Sequence, residues 1–188
     1  MKSALLFAAA ACLFVSPALA DETLNLPSFT SIKASDGADV IVRHGGAQSV
    51  VLAAGSTQYS KLEVQDGTLV IETCKNWSCP HHYHLEVDIT LPEVSGLEAE
   101  DGARIEAQGS FPAQAHLAAK ATDGGRVEAR AIAAADVNAL ASDGGELEVE
   151  PRQTMTAKAD DGGVVRYWGD PKVKSLIAED GGAVRGQN

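Results

Sequence analysis

The sequence predicts an all-β fold: a parallel β-solenoid of about 20-residue coils, entered through a less regular N-terminal β part. Three observations point there. A phrase built on Asp-Gly returns at Asp101, Asp123, Asp143, Asp161 and Asp180, at intervals of 22, 20, 18 and 19 residues. After each copy an aliphatic residue stands between flanking positions that are mostly charged, an alternation of period two. The interval itself leaves little room for a helix, although the alanine-rich runs favour one on propensity alone. A near-constant period of this size marks coils stacked on one another, none of which can bury its apolar face by itself.

Taken in chain order, the first twenty residues read as a signal peptide. Lys2 supplies the positive end, Ala4 to Val15 is an apolar run, and Ala18-Leu19-Ala20 offers a small-x-small cleavage site before Asp21. The run falls short of the ~20 apolar residues that a membrane span needs. Cys12 lies inside it, with Ala9 rather than a leucine three residues earlier, which argues against lipoprotein processing.

Residues 21–94 form the N-terminal β part. Asp36 follows Ala34 and precedes Val40, which matches the later phrase. Asp66 departs from it, with Val64 before and apolar residues (Leu69, Ile71) at odd offsets. The stretches "SVVLAAG", "KLEVQDGTLVIET" and "HLEVDITLP" read as strands with hairpin-like turns. In the last, Leu85, Val87, Ile89 and Leu91 share one face, while His82, His84, Glu86 and Asp88 share the other. Pro92 closes this part.

Residues 95–188 are the repetitive part, continuous with the preceding one. Two positions before each Asp stand Ala99, Ala121, Ala141, Ala159 and Ala178; four positions after stand Ile105, Val127, Leu147, Val165 and Val184. Charged residues flank the aliphatic, as in Arg104 and Glu106, Arg126 and Glu128, Glu146 and Glu148. That is the period of a strand with one face inside. The entering segments alternate too, as in Ala115, Leu117, Ala119, Ala121 and Ala135, Val137, Ala139, Ala141.

Removing a 20-residue leader from 188 leaves 168 residues, with 14 basic side chains against 26 acidic ones, a formal charge of −12. Such a surface repels nucleic acid and anionic lipid, and the expected partners are envelope or surface molecules, protein or glycan. After leader removal no transmembrane segment is expected, so the chain is placed in the periplasm or at the bacterial surface.

The order of segments resembles a known family. An "FTSI" strand (Phe29 to Ile32) is followed by "DGTLVIE", then "VDITLPEVSGLEAEDGARI", then Gly-rich repeats ending in "VRYWGDPKVKSLIAEDGGAV". This is similar to the putative auto-transporter adhesin family with a head GIN domain, over residues 27 to 186. The most specific piece is Tyr167-Trp168-Gly169-Asp170-Pro171 with the final Asp-Gly-Gly. The resemblance implies a right-handed parallel β-helix in a secreted or surface bacterial protein, adhesin-like and without assigned catalytic residues. This chain departs from the family's more usual Gly-Ser-Gly in having Asp-Gly-Gly or Asp-Gly-Ala. It also leaves no room for an outer-membrane translocator barrel.

Two sets of side chains are candidate sites. In register, successive coils lie about 4.8 Å apart. Stacked carboxylates at that spacing repel by roughly 1 kcal/mol per pair in water, so the row Asp101, Asp123, Asp143, Asp161 and Asp180 invites a counter-charge. Turn formation is the simplest role for these residues, because Asp tolerates the conformations that tight turns need. Calcium binding by the row is the second, since hard carboxylate and carbonyl oxygens suit that ion. Paired acids acting on a carbohydrate are the third. The second set is "CKNWSCPHHYH". Cys74 and Cys79 read first as a disulfide stapling a hairpin with Asn76-Trp77-Ser78 at its tip; the alternative is a zinc or copper site drawn from Cys74, Cys79, His81, His82 and His84, with His82 and His84 on one strand face. Of Tyr167 and Trp168, adjacent on a strand, one is expected to face in and one out. No enzyme activity and no cofactor other than calcium are expected, with a cation-dependent carbohydrate-binding or carbohydrate-active protein as the alternative.

Overall fold

Each Asp-Gly pair redirects the chain, and the fold follows from what happens on either side of it. The computed structural model describes residues 22–75 and 79–187. The segment read as a leader, Cys12 and Trp77 therefore lie outside the described residues. The fold is all-β, and no α-helix occurs among the described residues. Fifteen strands join in one sheet.

Two ladders make up that sheet. In the first, β5 (Lys61–Gln65), β6 (Thr68–Glu72), β2 (Ser31–Ser35), β8 (Gly96–Ala99) and β10 (Gln114–Ala121) lie side by side. It continues through the second halves of β11 (Arg126–Ala141) and β12 (Glu146–Ala159) to β14 (Val173–Ala178). In the second ladder, β1 (Glu22–Leu24), β4 (Ser49–Ala54), β7 (Glu86–Leu91), β3 (Asp39–His44) and β9 (Arg104–Gln108) precede the first halves of β11 and β12. β13 (Val164–Trp168) and β15 (Ala183–Gln187) end it. From β6 and β7 onward every pairing along the ladders is parallel. One repeat is thus a first-ladder strand, an Asp-Gly corner and a second-ladder strand.

The predicted rows are in register. Ala34, Ala99, Ala121, Ala141 and Ala159 stack as fully buried neighbours. Beyond the corner, Val87, Val40, Ile105, Val127, Leu147, Val165 and Val184 form the second row. All but partly buried Val184 are core residues. Alternation breaks in the entries to the second and third corners of the repetitive part, where Ala115 and Ala135, both expected inside, are not in the core. Gln114 and Ala134, which pair with each other, are buried instead, each followed by two residues that are not, and the register of β11 on β12 shifts at the same place, where Ala134 pairs with Pro151 but Asp136 with Thr154.

The N-terminal end is organised differently. β5 lies antiparallel on β6, β4 antiparallel on β7, and β1 antiparallel on β4. Asp66 and Gly67 close the β5–β6 hairpin, both with positive φ, so one dipeptide makes a hairpin here and corners elsewhere. The expected hairpin around the cysteines is corrected. β6 and β7, which flank them, do not pair with each other but run parallel to β2 and β3. The intervening segment is a corner, as the alignment below shows.

Candidate functional site

The corners are built by the backbone. In Asp36, Asp101, Asp123, Asp143, Asp161 and Asp180, φ lies between 45° and 56°, and in the glycine that follows between 70° and 80°. Positive φ at both central residues is the type I′ pattern, and Asp accepts the left-handed region better than most side chains. The turn closes through the N–H of the residue after each Asp-Gly, as in Gly145 N–H to Ser142 C=O at 2.8 Å. Corners are then tied to each other. The glycine N–H donates to the Asp carbonyl of the next corner, from Gly37 to Asp101 at 3.0 Å through Gly162 to Asp180 at 3.2 Å. These Asp residues are all exposed, so their carboxylates reach solvent while their main chains carry the stacking. Asp36 joins the five predicted from the period, next to Asp101.

The Cys/His segment occupies the same place one layer earlier. Ser35 pairs with Glu72, and the hydroxyl of Thr73 donates to Ser35 C=O at 3.4 Å, so Thr73 stands where Asp36 would. Asp39 N–H donates to Leu85 C=O at 3.0 Å, as Arg104 N–H does to Ala38 C=O at 2.8 Å. Residues 73–84 therefore replace a two-residue corner. The Cys74–Cys79 disulfide is present in this loop. Tyr83 anchors it, accepting from Ser56 N–H at 2.7 Å and lying 2.8 Å from the Ser60 hydroxyl. His82 and His84 are exposed, and His84 Nε2 is 3.7 Å from Asp39 Oδ2. Among the described residues no three His, Cys, Asp or Glu side chains are grouped to hold a metal ion. Tyr167 faces the core, and Trp168 faces outward beneath the Arg130 guanidinium, 4.5 Å from the ring centre.

Charged residues on the outer faces pair across layers. Arg126 reaches Glu128, Glu146 and Glu148, while Lys33 and Lys120 both bridge Glu98 and Glu100. Partial burial pushes the Glu100 carboxyl upward, but hydrogen bonds from the Lys33 and Lys120 ammonium groups help to outweigh it and hold it at about 2, below the ordinary 4.5. A folded-state value below the unfolded one gives stability that is complete above 4.5 and lost as pH falls through about 2. Glu100→Gln is therefore expected to flatten the acid side of a stability–pH curve in that window, read as denaturation midpoints at successive pH values.

Beside these charges runs a furrow that the period did not single out. Thr68, Ser31, Gly96, Ala118, Asn138, Thr156 and Ser175 align across seven strands of the first ladder. Each of the last six stands five residues before an Asp of the corner row. This position is always small or uncharged polar, and that was the available signal. Because side chains there are short, the outer face is hollowed into a trough. One stretch of about 360 Å³ is lined by Ser31, Thr68, Glu98, Lys120, Asn138 and Leu140 over Gly96 and Ala118. It adjoins a second of about 300 Å³, which shares Ala118 and Asn138 and adds His116, Asp136, Thr154 and Thr156. Asp136 is fixed from both sides, accepting from the Thr154 hydroxyl at 2.5 Å and lying 3.0 Å from His116 Nδ1.

A family model described as "Putative auto-transporter adhesin, head GIN domain" matches residues 28–115 and 112–171. Among solved structures, a putative adhesin from Bacteroides fragilis is similar with a TM-score of 0.57 and 16% identity, covering 92% of this chain and 98% of that one. A putative adhesin from Parabacteroides merdae is more distant, with a TM-score of 0.45 and 14% identity over 90% of this chain and 96% of that one. No curated protein matches the chain.

Proposed function

This chain belongs to the head GIN domain family of putative auto-transporter adhesins, and from that premise we propose that it is an exported, non-enzymatic, adhesin-like binding module. The repeats are read as coils of a right-handed parallel β-solenoid, a scaffold that carries a rigid outer face rather than a cleft. The observation that supports the reading most is the trough across the first ladder. It is long and open, rich in hydroxyl and amide groups, and bordered by Lys120 and Glu98 on one side and His116 and Asp136 on the other. A polyhydroxylated chain fits such a surface, because its many weak donors and acceptors meet many fixed partners along a line. The ligand class proposed is a surface glycan.

Ala118 lies exposed where the two stretches of the trough meet. Ala118→Trp is expected to fill the trough and abolish binding on an array of bacterial glycans while leaving the melting temperature within a few degrees of the parent. Glycan binding that survives this substitution places the contact elsewhere, and capture of protein in place of glycan from an envelope extract replaces the ligand class.

A further inference from the structure

The two ends of the stack are unlike. At the N-terminal end the parallel ladders are closed by antiparallel strands, and the outermost of these, β5, carries Lys61, Glu63 and Gln65. At the C-terminal end, β14 pairs only with β12 and β15 only with β13, so the free edges of both strands are unpaired among the described residues. β14 is exposed along its whole length. It also holds the large exposed hydrophobics of the described residues: Val173 at 62%, Leu176 at 40% and Ile177 at 44%. Leu176 continues a core row, directly after Ala157, and nothing described follows it.

An exposed strand edge with apolar side chains is a template for another strand. The sequence of this edge, "KVKSLIAED", states which strand fits. Its start is basic (Lys172, Lys174), its centre is Leu176 and its end is acidic (Glu179, Asp180). Turned end for end, the same sequence is its own electrostatic complement. With the two-fold axis through Leu176, antiparallel pairing of β14 sets Leu176 opposite Leu176 and brings Lys172, just before one strand, toward the Glu179–Asp180 corner just after the strand of the second copy. Lys174 then meets Ala178, whose short side chain leaves room for it. Lys174 faces inward, with its ammonium 5.7 Å from the Tyr167 ring and 3.4 Å from Asp170, so it covers part of the core end without occupying the centre of the edge. Parity is kept, since Lys174, Leu176 and Ala178 all follow the inward row of β12. A parallel β14–β14 pairing gains none of these pairs, and a head-to-tail copy meets the charged β5 edge instead.

We propose that β14 is a self-association edge, through which two copies join C-terminal end to C-terminal end as an isologous, two-fold dimer. Such an interface uses the same patch on both partners and closes on itself, so it cannot propagate into a fibre. The area is that of one strand edge and the end of a core, so the dimer is a weak one.

Sedimentation equilibrium of the purified protein up to about 0.5 mM tests this, as a concentration range that resolves weak association. The expected result is a monomer–dimer equilibrium without larger species. Leu176→Lys is expected to weaken it more than about tenfold. Lys172 has no ion-pair partner among the described residues, so Lys172→Glu leaves the fold intact and is expected to weaken the dimer about 2- to 10-fold, the loss of two exposed pairs. Should Leu176→Lys fail to fold, cysteine placement decides. Leu176→Cys is expected to give a cross-linked dimer under mild oxidation, where Glu63→Cys at the opposite end and the unsubstituted protein do not. A monomer throughout the range, a dimer indifferent to both charge substitutions, open-ended polymers, or cross-linking at residue 63 would each overturn the proposal.

Discussion

Replacing Gly145 with alanine is expected to cost about 3 kcal/mol or more, whereas the same change at the adjacent Gly144 costs about 1–2 kcal/mol. The two glycines serve different ends. Gly144 has φ of +73° with nothing within 4 Å of where a Cβ would lie, so alanine there meets only backbone strain. Gly145 has no positive φ, but a Cβ on it would lie 2.2 Å from the Ala121 carbonyl oxygen and 2.5 Å from its carbon. Backbone atoms cannot yield as a side-chain tip does, and the Ala121 carbonyl is itself held by Ser142 N–H at 3.0 Å. Relief requires parting two layers. Gly125, Gly163 and Gly182 meet the carbonyls of Ala99, Ala141 and Ala159, respectively, in the same way. Chemical denaturation of the two single variants, compared at equal denaturant slope, gives the difference directly. Equal losses at both positions would remove the steric account of the second glycine.

The second large effect is expected at Leu147, for which truncation to alanine should lower stability by about 2–5 kcal/mol. Leu147 is fully buried and sits between Val127 and Val165 in the second-ladder row. Its own repeat cannot close over the space left behind, because the layers above and below are pinned at their corners by main-chain hydrogen bonds. The cavity term therefore persists, which places the loss toward the upper part of that range. Leu140, on the same strand system but facing the outer trough, is only half-buried and provides the contrast. Thermal melts of Leu147→Ala and Leu140→Ala should differ by several degrees, the first being lower.

Much of this architecture could be read directly from residue spacing. The alternation around each Asp assigned inward and outward faces, and the near-constant period assigned register, since a one-residue slip would bury Arg126 and Glu128 in place of Val127. The role of Asp was legible for the same reason: a residue repeated at every corner beside glycine answers to a backbone demand. Three things were not legible. The change of inward phase at Ala134–Asp136 hides in an alanine run where most residues are small enough to face either way. The corner at residues 73–84 is too long to resemble Asp-Gly, and only the pairing of Ser35 with Glu72 aligns it. The trough is defined by what its row lacks, namely large side chains, and small residues at a single offset leave a faint mark in a sequence already rich in alanine and glycine. The disulfide was visible because two cysteines five positions apart, in a chain whose start reads as a signal peptide, have few other uses, but the element it sits in was not.

The order of layers at the N-terminal end has a consequence for the order of folding. β2 and β3 precede β6 and β7 along the chain, yet in the finished stack they lie one layer further in, with β6 and β7 beneath them. The first Asp-Gly corner thus waits without a neighbour until residues 68–91 have folded back under it. From β8 onward spatial order equals chain order, and each new repeat finds its template already in place. Nucleation is therefore delayed and growth is vectorial: a slow, non-local closure of the first ninety or so residues, followed by rapid addition of repeats one at a time.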